Sequence, residues 1–246
     1  MHKSRIVLVS LALVLMLALL IPLVGCGGGG TGTTATPTGT SSGATPTKTP
    51  AATKTPTSTS TSGNTLSDIM GGGKNLGDVQ FDMVSTSPQL PQATTTKVYY
   101  KNYGVADQMK ARMETSEEGA TTIYLIDESA QTTYMWMKEQ NIAYKMDMSQ
   151  GPISSPTPNG DQIHPTHVGT ATIDGHPCDI WQWTDQGTTE KMWIWTAKSF
   201  PVKMEITMSS GTSTMEYKNI NFGNIPDSTF QLPASVTVTT FPSYSP

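Results

Sequence analysis

Up to residue 63 the chain has neither an aromatic nor an acidic side chain, and along all 246 residues it has two cysteines, two arginines and one long apolar run. Without aromatics the first 63 residues cannot pack, so a core must be built from 64–246, the length of one ordinary domain. With Cys26 and Cys178 as the only cysteines, no disulfide framework is available. There is no Gly-x-Ser-x-Gly elbow, no His-Glu-x-x-His helix and no phosphate loop, which points away from an enzyme. Glu117-Glu118 and Asp127-Glu128 fall at expected turns, where paired acids meet solvent. Setting aside Lys3, Arg5, Lys48 and Lys54 leaves 11 basic against 19 acidic side chains, so the domain carries −8 and does not suit a nucleic-acid partner.

The single apolar run, Ile6 to Val24, follows Lys3 and Arg5 and ends in Leu23-Val24-Gly25-Cys26. The run alone would serve as a membrane span or as an export signal. Its closing tetrad resembles the lipobox of bacterial lipoproteins, which implies that residues 1–25 are removed and that Cys26 carries a diacylglyceryl group. That places the protein outside the cytoplasm, anchored to the cell membrane or outer membrane, with no other cofactor expected. Two acyl chains anchor stably where a single one is marginal.

Behind Cys26, residues 27–63 consist of 14 Thr, 8 Gly, 5 Ser, 4 Pro, 4 Ala and 2 Lys. Such a low-complexity stretch is a disordered tether. Its 37 residues span roughly 30–37 Å on average and at most about 130 Å when fully extended.

From residue 77 the pattern changes to a period of two, punctuated by Gly, Asn, Asp and Pro. About eleven antiparallel strands are expected, with a short helix near Thr65 to Met70 and a turn at Pro226 to Phe230. Segments 131–138 and 188–196 are apolar on both faces: Tyr134 and Trp136 oppose Met135 and Met137, while Trp193 and Trp195 oppose Met192 and Ile194. Two-sided strands in one small domain predict a mainly β fold, a strongly curved sheet or incomplete barrel, with short helices or a loop on its concave face. Twelve methionines in the domain suit either a pocket for variable apolar shapes or an irregular core.

The motif order resembles the LolA/LolB-like superfamily. Lys97-Val98-Tyr99-Tyr100-Lys101, Thr122-Ile123-Tyr124-Leu125-Ile126-Asp127 and Tyr134-Met135-Trp136 resemble its early strands. Gly169 to Gly175, Lys191-Met192-Trp193-Ile194-Trp195, Phe200-Pro201-Val202-Lys203-Met204-Glu205 and Ile225 to Pro233 resemble the later ones. The resemblance spans about residues 65–240 and implies an open barrel that binds or shuttles a lipid, acyl chain or lipoprotein in an apolar concavity. The residues expected to line it are Met135, Trp136, Met137, Tyr144, Met146, Met148, Trp193, Trp195, Met204, Ile206 and Met208. Arg112 lies on the strand where the carriers place an arginine that holds the lid. Segment 149–167, with four prolines, cannot be one continuous helix and suits a loop lid.

Two other readings stand beside this one. A surface structural or sensory module would fill the same sheet with its own side chains and use an envelope protein as partner. A weaker alternative is a metal site from His164, His167, His176 and Cys178.

Overall fold

The computed structural model describes residues 64–71, 74–90, 92–105, 107–147, 160, 162–185 and 187–240. The expected leader, lipidated cysteine and tether, and most of the expected lid loop, lie outside them.

The domain opens with helix α1 (Leu66–Ile69) and continues as β1 (Gly77–Thr86), β2 (Thr94–Tyr103), β3 (Lys110–Glu117), β4 (Ala120–Asp127), β5 (Thr132–Met137) and β6 (Ile142–Asp147). A second run follows: β7 (Thr166–Ile173), β8 (His176–Asp185), β9 (Thr188–Trp195), β10 (Phe200–Met208), β11 (Gly211–Phe222) and β12 (Thr237–Thr240). All twelve join one curved open sheet in the order β12-β6-β5-β4-β3-β2-β1-β11-β10-β9-β8-β7. Short turns explain the two meanders, since consecutive antiparallel strands need only a hairpin. The seam between them is the antiparallel pairing of β1 with β11, which runs from Val79 opposite Phe222 to Thr86 opposite Thr214.

Bulges supply the curvature. The register slips near Asn102 and near Asn219, both with φ of 54°, a left-handed conformation that asparagine tolerates. Asp78 accepts the Asn102 backbone N–H at 3.2 Å, and the Asn219 side-chain amide donates to Asp82 at 2.7 Å, so each kink is held by an aspartate of β1. A third slip, between Pro201 and Lys203, bends β10 against β9.

Alternation along the strands decides what fills the interior. Val79, Phe81 and Met83 of β1, Val98 and Tyr100 of β2, and Ala111 and Met113 of β3 are buried on the inner face with Met192, Met204, Met215 and Tyr217. Phe81 stacks on Tyr217 with ring centroids 4.5 Å apart, and Phe200 meets Phe81 and Tyr103 edge-on at 5.6 and 5.5 Å. Pairs of this kind add about 0.5–1.5 kcal/mol each beyond the area they bury. Helix α1 contributes Leu66 and Met70 to the same core and is fixed by a reciprocal cap: Asp68 N–H donates to Thr65 Oγ1, and Thr65 N–H to Asp68 Oδ2. Gly71, at φ of 88°, follows it directly.

The two-sided strands have different explanations. Outward from β4–β6, a small second core joins Ile123, Leu125, Trp136 and Ala143 to Leu232 and Val236, so the C-terminal segment covers that face. Its 3-10 turn (Asp227–Phe230) and β12, parallel to β6, complete the cover. In β9, Met192 enters the main core while Trp193 faces outward with Lys191 and Lys203 at 5.8 and 4.9 Å from its ring.

Candidate functional site

Cross-strand register arranges the inner face into rows. One row runs Phe81, Val98, Met113, Tyr124, Met135, Tyr144 from β1 to β6; its neighbours run Met83, Thr96, Thr115, Thr122, Met137, Ile142 and Val79, Tyr100, Ala111, Ile126, Thr133, Met146. Burial falls along the first from β4, along the second from β3 and along the third only at β6, where Met146 follows the buried Ile126 and Thr133. The β1 and β2 members are buried, whereas Tyr124, Met135, Met137, Ile142, Tyr144 and Met146 are only half-buried. The inner face is therefore a packed core at its centre and a half-open apolar strip over β4–β6. The Tyr124 hydroxyl donates to Met135 Sδ at 3.4 Å, which sets the two side chains against each other.

The residues expected to line a concavity separate accordingly. Met135, Met137, Tyr144 and Met146 come together on the strip. Trp136 points the opposite way, into the small outer core. Met204 and Ile206 are buried in the main core, Trp193 is buried on the outer face, and Trp195 is half-buried against His176 and Phe222. Met208 is exposed near the β10–β11 turn, and Met148 lies outside the described residues. Tyr124 and Ile142 belong to the strip although they stood outside the expected lining. The signal that identifies them is the strand-to-strand register, which a single strand's alternation does not contain.

Arg112 lies on the outer face, opposite Leu125 and Tyr99 in register. It pairs with Glu114 at 2.9 Å, donates to the Thr229 carbonyl at 3.3 Å and lies 5.9 Å from the Trp136 ring. Its contacts tie the C-terminal segment to β3 and β5.

His164 is exposed. His167 meets Asp179 at 3.1 Å and Trp181 edge-on, while His176 stacks on Trp195 at 4.0 Å. Cys178 is buried, its thiol donates to the His176 carbonyl, and burial pushes its pKa up. Among the described residues no three His, Cys, Asp or Glu side chains are placed to hold a metal ion. None of the described helices is long and apolar enough to cross a membrane.

One acid escapes the expected solvation. Glu128, in the β4–β5 turn, is buried with Oε2 unpartnered, and burial aided by the charge of Asp107 pushes its pKa up to about 7.

An open, strongly curved antiparallel sheet with a self-packed centre and a half-open inner edge defines the class of this protein, an incomplete β-barrel. Residues 78–199 match the family described as a domain of unknown function, DUF4412. No curated protein sequence matches the chain. Among solved structures, an uncharacterized conserved protein from Thermus thermophilus superposes with a TM-score of 0.53 at 12% identity, covering 72% of this chain and 97% of that one. The MucA/MucB complex of Pseudomonas aeruginosa gives 0.48 at 12% identity over 72% of this chain and 62% of that one. A putative outer membrane lipoprotein-sorting protein domain from Vibrio parahaemolyticus gives 0.35 at 11% identity, covering 67% and 94%. The Thermus protein shares the fold; the other two overlap too little to carry an argument.

Proposed function

We propose that the chain is a membrane-anchored extracytoplasmic lipoprotein whose β-domain holds a lipid or acyl chain, without covalent chemistry, against the inner face of β4–β6. The observation that carries this is the change along one face: the rows that are packed at β1 and β2 end in half-buried methionine, tyrosine and isoleucine at β6. Thioether chains conform to a flexible acyl group, and each methylene they cover contributes about 0.8 kcal/mol. The lipobox-like tetrad that ends in Cys26 supports a location at a membrane, where such a ligand is at hand.

The test is native mass spectrometry of the full chain carrying Cys26→Ser, which removes its own acyl groups. A co-purifying lipid mass that Met135→Glu eliminates supports the proposal. Absence of any such mass, together with no binding of any fluorescent acyl probe, overturns it.

The aromatic cluster of Phe81, Tyr103, Phe200 and Tyr217 favours a second reading, because it fills the centre of the curve with the protein's own side chains. A self-filled module would carry no lipid and would engage an envelope protein instead.

A further inference from the structure

Beside its apolar strip, the inner face carries an uncharged hydroxyl row. Thr96, Thr115 and Thr122 are neighbours across β2, β3 and β4, and the row continues directly into Met137 and Ile142. Thr96 and Thr115 share a hydrogen bond of 2.8 Å. Thr122 is half-buried at the border between the hydroxyls and the thioethers. Two residues beyond Met83, Ser85 is 6% exposed and its Oγ has no partner.

Among the described residues the strip and its hydroxyl row carry no cation on a strand, and Lys198, in the β9–β10 turn, stands over Phe222 of β11. Among the described residues, every lysine and arginine on a strand occupies a position that alternates with the inner ones. Lys97 sits between Thr96 and Val98, Arg112 between Ala111 and Met113, and Lys145 between Tyr144 and Met146. Arg112 is moreover committed to Glu114 and Thr229. Across the sheet the inner face bears an acid, Glu190, opposite Ile206 and Trp183 in register, and burial pushes its pKa up. A carboxylate or phosphate brought onto the strip would lose hydration, meet no countercharge and face a negative domain. An ester or free hydroxyl would find donors and acceptors of matching polarity.

Resting on the acyl-binding reading above, we infer that the strip selects lipids whose polar end is uncharged, of the acylglycerol type, and seats that end at Thr115 and Thr122. The acyl chain lies over Met135, Met137 and Tyr144, and the ester or hydroxyl end meets the threonine row.

The experiment compares three probes on the full Cys26→Ser chain at pH 8: a pyrene-labelled diacylglycerol, a pyrene-labelled fatty acid and a phosphatidylglycerol bearing the same labelled chain. The diacylglycerol should bind at least about tenfold more tightly than either anionic probe. Thr122→Val, nearly isosteric and half-buried, should cut that preference to about threefold or less while leaving the thermal midpoint in place. Anionic probes binding as tightly as the diacylglycerol overturn the inference and leave acyl binding standing. Failure of all three to bind overturns both. An undiminished preference in the Thr122→Val chain overturns the seating of the polar end.

Discussion

Glu128 shows how far one side chain can depart from its sequence context. An acid beside another acid in a turn ordinarily faces water, yet here the carboxyl is buried with one oxygen unpartnered. Its pKa rises from 4.5 to about 7, chiefly through burial and then through the charge of Asp107. The folded state therefore holds a proton that the unfolded chain releases, so folding carries no ionisation cost from this group below pH 4.5. The cost grows as the pH rises from there to about 7 and is constant beyond. Glu128→Gln keeps the shape and removes the charge. Urea unfolding should show it more stable than the parent by roughly 1–3 kcal/mol at pH 8, with no gain at pH 4. A gain of equal size at both pH values would mean that ionisation is not the cause.

Among the elements, the C-terminal segment does work that its composition conceals. Leu232 and Val236 cover Ile123, Leu125 and Trp136, and Arg112 fastens the turn before them. Val236→Asp would put a charge into that small core and should cost roughly 2–4 kcal/mol in urea unfolding, with tryptophan emission shifted to the red as Trp136 meets water. An unshifted midpoint would mean that the segment lies loosely on the sheet. The strands it covers were legible in the sequence because alternation and turn residues are local signals; Ile142 to Met146 and Thr122 to Asp127 read directly as strands. Strand β12 was not legible, since Thr-Val-Thr-Thr is short, exposed on every residue and placed only by parallel pairing to a strand nearly a hundred positions earlier. The site was half legible for the same reason. Alternation identified Met135 and Met137 as one face, but whether that face or the Trp136 face would be closed depended on a segment distant in the chain. Met204 and Ile206 have the same local pattern as Met135 and Met137, and only the pairing with Met192, Met215 and Ser213 puts them in the core.

On the scale of the whole molecule, the proposed anchor and strip must be able to meet at a membrane, and the tether sets that geometry. With the flexibility expected of their composition, 37 residues span roughly 30–37 Å on average, comparable with the width of the domain, which would let any face of the sheet turn toward the bilayer. Removing residues 31–56 leaves 11 residues and a mean span of about 17–20 Å, which restricts the domain to faces near its own entry point. On the proposed acylation of Cys26, anchoring should not change, because two acyl chains would hold the protein whatever the length that follows. The shortened protein should therefore remain in the membrane fraction, as the parent does, while a chain begun at Gly27, without apolar run or acylated cysteine, moves to the soluble fraction. Uptake of a pyrene-labelled diacylglycerol from the same membrane should slow severalfold in the shortened chain, because fewer orientations bring Met135 and Thr122 to the surface. Equal uptake by both lengths would mean that the strip faces the bilayer from the domain's entry side, and would assign the tether to reaching across the envelope and not to orientation.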